Sequence, residues 1–131
     1  MLVERIKSSQ PTIMVVEDFD DTRFLMKTSL EMKGYRVVEA DNGQKAVEIA
    51  KREKPNLIFM DLNLPVLDGI TATRLIREYA PLRDVPIVAV TNYTGYEYRK
   101  QALAAGCNEF LNKPFDFDQL DDLLSNLLPL S

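Results

Sequence analysis

Five short runs rich in apolar and β-branched residues punctuate this 131-residue chain, at Thr12 to Val16, Tyr35 to Glu39, Asn56 to Met60, Val85 to Val90 and Cys107 to Leu111. Between them, apolar residues return every three or four positions, the period of an amphipathic helix. Runs of this kind, set between helical stretches, read as buried parallel strands joined by helical crossovers. Punctuation fixes the helices. Asp20 is placed to cap one that runs to about Lys33 and stops at Gly34, and Asn42 caps a second that runs through about Arg52 before Pro55. A third spans about Asp68 to Tyr79, a fourth Tyr96 to Ala105 ahead of Gly106, and a fifth about Phe117 to Leu128.

Five βα units predict an α/β fold, a (βα)5 doubly wound parallel sheet with the flavodoxin-like strand order 2-1-3-4-5. Residues 1–11 read as a leader with a short helical turn around Leu2, Val3 and Ile6, residues 12–128 as one domain, and 129–131 as a tail. Because the fifth helix closes the domain, no separate output domain is expected. Ala46, Val47, Ile49 and Ala50, like Leu120, Leu123, Leu124 and Leu127, form core stripes. Phe24, Leu25 and Met26 are successive and sweep past any single core-facing stripe, so at least one of them is expected at the surface.

Composition narrows the function classes. Apolar residues are 46% and charged residues 27% of the chain, as in an ordinary soluble globular domain. A net charge of −4 argues against binding nucleic acid by phosphate neutralisation. With no histidine, a Ser-His-Asp hydrolase, a His-ligated zinc site and a phosphohistidine donor are excluded for this chain. Cys107 is the single cysteine, so no internal disulfide or thiolate metal site forms, and it reads as a small buried residue. No apolar run approaches the ~20 residues of a membrane span, and residues 1–10 lack the apolar stretch of a signal peptide. A cytoplasmic location is the expectation.

The candidate chemistry sits where the strands end. Val15-Val16 leads into Glu17-Asp18, Leu57 to Met60 into Asp61, Val88 to Val90 into Thr91, and Phe110 to Asn112 into Lys113-Pro114. Open parallel sheets bind ligands beyond the carboxyl ends of their strands, so three carboxylates, a hydroxyl and an ammonium are expected at one edge. Three negative charges against one positive leave −2, which a divalent cation neutralises. An all-oxygen donor set suits Mg²⁺, or Mn²⁺, rather than zinc. Asp61 is the candidate nucleophile, since a carboxylate holds a phosphoryl group as an acyl phosphate. Mg²⁺, Lys113 and the Thr91 hydroxyl would then face the three equatorial phosphoryl oxygens.

The acidic pair Glu17-Asp18, the segment Asp61-Leu62-Asn63-Leu64-Pro65-Val66-Leu67-Asp68-Gly69, Thr91 and Lys113-Pro114-Phe115 resemble, in order and wording, the receiver domain of two-component response regulators. The resemblance runs from about Thr12 to about Leu128. It implies a phosphoacceptor at Asp61 and a metal held by Asp18, Asp61 and the Asn63 backbone carbonyl, with Glu17 acting through a water. It implies a cis Lys113-Pro114 bond that turns the lysine into the site, and a switch in which the Thr91 hydroxyl moves to the phosphoryl group while Phe110 turns inward. The surface of the fourth helix, fifth strand and fifth helix would change with it. Asn63 and Tyr93 fall at the positions that tune water's approach to the acyl phosphate. Asn92 departs from the small residue usual after the switch threonine, so an altered phosphorylation lifetime is expected.

The partners implied are a histidine kinase or histidine phosphotransfer protein, docking near the Phe24-Leu25-Met26 triplet, and a downstream protein target. No nucleic acid or membrane is implied, and the chain would be a monomer or weak homodimer. Two other classes compete. One is a receiver-like binding module that works without phosphorylation. The other is a phosphatase of the haloacid dehalogenase type, whose nucleophile also ends a strand in Asp-x-Asp; here the second acid is Asn63, which cannot act as acid or base, and no cap domain is present.

Overall fold

The computed structural model describes residues 10–92 and 95–128 of the chain. The expected leader turn, Tyr93 and the tail therefore lie outside the described residues. Strands β1 (Thr12–Val16), β2 (Arg36–Ala40), β3 (Leu57–Asp61), β4 (Ile87–Thr91) and β5 (Glu109–Asn112) alternate with helices α1 (Asp20–Met32), α2 (Gly43–Glu53), α3 (Gly69–Glu78), α4 (Tyr96–Ala105) and α5 (Phe117–Leu127). All strand pairs are parallel, in the order β2-β1-β3-β4-β5. This is the doubly wound sheet that the alternation of runs and helical stretches predicts.

Strand periodicity divides the core into two layers. Met14, Val16, Ile58, Met60 and Ala89 face α2, α3 and α4, where Ala46, Ala50, Ala72, Ile76 and Ala102 meet them. Ile13, Val15, Leu57, Phe59, Val88 and Val90 face the other way, onto Met26 and Leu30 of α1 and Leu120 and Leu124 of α5. The small alanines on the first face let three helices lie close to the sheet. Each fully buried large side chain contributes about 1.5–3 kcal/mol.

Local hydrogen bonding moves several element boundaries. The Cys107 N–H donates to the Ala102 carbonyl at 3.0 Å, closing α4 at Gly106 with φ +120°. Cys107 is thus spent on a helix terminus, and β5 begins at Glu109 rather than Cys107. A 3-10 turn at Ala80–Leu82, absent from the sequence reading, delays β4. The Val85 N–H closes back on Leu82 at 3.4 Å, and Pro86 has no donor to give the sheet. The Tyr35 N–H likewise returns to Leu30 at 3.2 Å, so β2 starts one residue later than the pattern suggests.

Asp20 does not cap α1. The N-cap position is Phe19, which offers no side-chain bond, and Asp20 instead lies inside the first turn, paired with Arg23 at 2.7 Å. Asn42 does cap α2, accepting from the Lys45 N–H at 2.9 Å, and Asp68 caps α3 by accepting from Thr71 N–H at 2.9 Å. Asp116 and Gln119 form a reciprocal capping box at the start of α5.

Candidate functional site

Register assembles the site. Val16 lies beside Met60, Asp61 beside Val90, and Thr91 beside Asn112. The residues that follow β1 and β5 therefore flank the last residues of β3 and β4, and Glu17, Asp61, Thr91 and Lys113 arrive at one edge. Lys113 Nζ donates to Glu17 Oε1 at 2.7 Å and to Asp61 Oδ2 at 3.0 Å. Its own N–H donates to the Thr91 carbonyl at 2.9 Å, tying the ends of β4 and β5 together. The Lys113–Pro114 peptide bond is cis.

Glu17 and Asp61 are only 2% and 3% exposed, so their charge has to be met inside the protein. Both Glu17 oxygens are engaged: Oε1 by Lys113, and Oε2 by the Phe19 N–H at 3.1 Å. Asp61 Oδ1 accepts from the Asn63 N–H at 2.9 Å. Burial alone pulls the Lys113 ammonium down, but its hydrogen bonds and the charges of Glu17 and Asp61 outweigh this and hold it above the ordinary lysine value. It remains charged at any physiological pH.

Asp18 is exposed, yet carboxylate oxygens of Glu17, Asp18 and Asp61 all lie within 4.8 Å of one another. One exposed and two buried carboxylates, open to water on one side, match the hard, oxygen-rich and partly hydrated environment that Mg²⁺ takes. The donor set fits that ion.

Around this centre, Thr91 is buried at the end of β4. Asn63 and Asn92 are exposed. Phe110 is half-buried, and the Arg99 guanidinium of α4 stands 4.1 Å over its ring. A groove of about 450 Å³ opens beside Lys113 and Asn92, walled by Leu25 and Met26 of α1 and by Phe115 and Phe117. Phe24 and Leu25 are 64% and 60% exposed, whereas Met26 is buried, so the α1 triplet turns two members outward.

Sequence reading singled out Glu17, Asp18, Asp61, Thr91 and Lys113, and the fold brings these together. It missed three features. Arg23 holds the Glu17 backbone carbonyl at 3.0 Å. Gly69 brings α3 so near the Asp61 backbone that a Cβ would stand 2.3 Å from its carbonyl oxygen. Val66 carries φ +69° in a tight turn closed by the Leu67 N–H on the Pro65 carbonyl at 2.7 Å. The Leu-Pro-Val-Leu-Asp-Gly wording marks the last two as loop positions; nothing in the spacing marks Arg23.

The family model described as the response regulator receiver domain matches residues 13–125. The hybrid signal transduction histidine kinase M of Dictyostelium discoideum is 37% identical over 121 residues, which are 88% of this chain and 5% of that protein's length. The chain thus spans a small part of that relative. Among solved structures, the receiver domain of sensor histidine kinase PA1611 from Pseudomonas aeruginosa PAO1 superposes with a TM-score of 0.84 at 38% identity, covering 91% of this chain and 98% of that one. That domain holds a magnesium ion in its active-site cleft. The receiver domain of Ssk1, crystallised with the histidine phosphotransfer protein Ypd1 of Saccharomyces cerevisiae, is 32% identical with a TM-score of 0.84, covering 90% and 88% of the two chains.

Proposed function

The chain belongs to the response regulator receiver domain family, and from that premise we propose that it is a phosphoacceptor switch whose phosphorylated residue is Asp61. Membership makes it a signalling domain of two-component systems, phosphorylated by a histidine kinase or histidine phosphotransfer protein. The finer assignment rests on one observation: Lys113 Nζ lies 2.7 Å from Glu17 and 3.0 Å from Asp61, with Asp18 completing the acid cluster.

In the reaction, an Asp61 carboxylate oxygen attacks the phosphorus of a partner's phosphohistidine. The O–P bond forms as the P–N bond breaks, and the electron pair returns to the imidazole. The acyl phosphate later yields to water, releasing inorganic phosphate and restoring the carboxylate. Asp18, Asp61 and the Asn63 carbonyl would hold Mg²⁺, with Glu17 acting through a water; the ion's charge offsets that of the phosphoryl oxygens. Lys113 exchanges its Asp61 contact for a phosphoryl oxygen while keeping Glu17, and Thr91 meets another oxygen. Positioning and neutralisation of charge are the protein's main contributions. Asn63, Asn92 and residue 93 set how readily water reaches the phosphorus.

The phosphodonor docks on the groove between α1 and the turn after β5. Exposed Leu25 and Phe117 line it together with Lys113, and exposed Phe24, next to Leu25 on α1, extends the apolar contact. Thr91 and Phe110 carry the change to a downstream target through the α4–β5–α5 face, as a shift between two populations. Among the described residues no helix is long and apolar enough to cross a membrane.

The test is to add beryllofluoride or acetyl phosphate with Mg²⁺ and follow amide NMR shifts together with covalent labelling. Wild type should respond and Asp61→Asn should not. A wild type that stays silent overturns the proposal and favours a binding module that works without phosphorylation.

A further inference from the structure

Resting on that reading, we infer that Arg23 is the positioning residue of the acid pair: its guanidinium ties the Glu17 backbone to β2 and to the start of α1, and so sets the affinity of the cluster for a divalent cation. Arg23 reaches three acceptors at once. One nitrogen donates to the Glu17 carbonyl at 3.0 Å, a second to Asp20 Oδ1 at 2.7 Å, and Nε to Glu39 Oε1 at 3.2 Å. The side chain is only 18% exposed. Meanwhile the Glu17 N–H donates to the Ala40 carbonyl at 3.0 Å and its carboxylate is held on both oxygens. The Arg23 bond thus fixes the carbonyl of a residue whose every other polar group is already anchored, immediately before Asp18.

Asp18 is the exposed member of the cluster and follows Glu17 directly, so its direction follows from the peptide that Arg23 holds. A planar fork serves three acceptors in different directions, which a lysine ammonium on a flexible stem does not. Asp20 and Glu39 neutralise Arg23 locally, so it acts on the cation through geometry more than through charge. Partners that orient metal ligands in this way typically change metal affinity 10–100-fold when removed.

The experiment titrates the full chain with Mg²⁺ alone and follows the amide resonances of residues 17–19 and 61–63 by NMR. Arg23→Met and Arg23→Lys should weaken binding roughly tenfold. Phosphorylation by acetyl phosphate should slow by the same factor at low Mg²⁺ and recover at saturating Mg²⁺. Glu39→Gln keeps an acceptor for Nε and should stay within about twofold of wild type. Arg23→Lys keeps the charge, so it remains informative where Arg23→Met fails to fold. Arg23→Lys with wild-type Mg²⁺ affinity overturns the inference, even if it melts at lower temperature, because a merely structural tie would change stability alone. Absence of Mg²⁺ shifts in the unmodified chain overturns the phosphoacceptor reading and this inference together.

Discussion

Replacing Lys113 with Met tests the electrostatic core of the site. The substitution leaves Glu17 and Asp61, 2% and 3% exposed, without the ammonium that lies 2.7 and 3.0 Å from them. Exposed ion pairs contribute about 0.2–1 kcal/mol. Breaking a fully buried pair costs about 3–5 kcal/mol, because a charge is left uncompensated. The Lys113 side chain is 27% exposed, so the pair falls between these limits, and a loss of about 2 kcal/mol in metal-free buffer is expected. With an unfolding entropy of about 2.1 cal/mol/K per residue, that lowers Tm by about 7 °C for a domain of this size.

The pH dependence gives an independent check. Although burial opposes it, Lys113 is raised above its unfolded value of 10.5 by its two carboxylate partners. A raised lysine contributes fully below the unfolded value and loses its contribution as pH climbs through the folded one. The gap between wild type and Lys113→Met should therefore be constant from neutral pH to about 10 and close above about 10.5. Mg²⁺ should narrow the gap too, since the cation neutralises the same carboxylates and binding to the folded state alone stabilises it. Scanning calorimetry with and without Mg²⁺, across that pH range, measures all three. A variant that melts within about 2 °C of wild type without metal, or a gap that widens with pH, would refute the reasoning.

Other substitutions separate the supports of the site. Gly69→Ala places a Cβ 2.3 Å from the Asp61 carbonyl oxygen and 2.7 Å from Leu62 Cα, so it should cost about 1–3 kcal/mol and reduce acetyl phosphate labelling of Asp61; an unchanged thermal melt would contradict this. Val66→Gly should stabilise by about 0.5–1 kcal/mol in urea denaturation, because relief of a β-branched residue at φ +69° exceeds the entropy glycine adds to the unfolded chain, and the 77% exposed side chain has little packing to lose. Arg77→Met removes bonds to the Gly106 and Leu82 carbonyls and to Asn108, all between 2.7 and 3.1 Å, and should cost about 2 kcal/mol while leaving Mg²⁺ affinity unaltered in an NMR titration.

The fold was legible because the three central strands, β1, β3 and β4, are buried on both faces. Leu57, Ile58, Phe59 and Met60 are all fully buried, so nothing interrupts the apolar run that marks β3. Boundaries were less legible because they depend on where a single N–H goes. Cys107 looks like strand and supplies a helix terminus, while Val85 looks like strand and closes a 3-10 turn. Asp20 shows the same limit. It is a good capping residue by type, but the Arg23 guanidinium at 2.7 Å competes for its carboxylate, and the α1 terminus is left with Phe19.

The site was legible for a different reason. In a parallel sheet, residues that end neighbouring strands meet whatever the intervening helices contain, so chemistry at strand ends survives the loss of all other spatial information. Glu17, Asp61, Thr91 and Lys113 needed only the strand order to be placed together. Arg23 and Arg99 sit on helices, where direction decides function. Arg23 faces the β1 end and holds the Glu17 carbonyl, whereas Arg99 turns its guanidinium over Phe110 at 4.1 Å. A helical arginine read alone is a surface charge; only the packed angle of its helix makes it a constraint on a backbone carbonyl or on an aromatic ring. The polar groups gathered at the sheet edge are therefore written in this sequence at fixed places, while the groups that hold them still are visible only once the helices have docked.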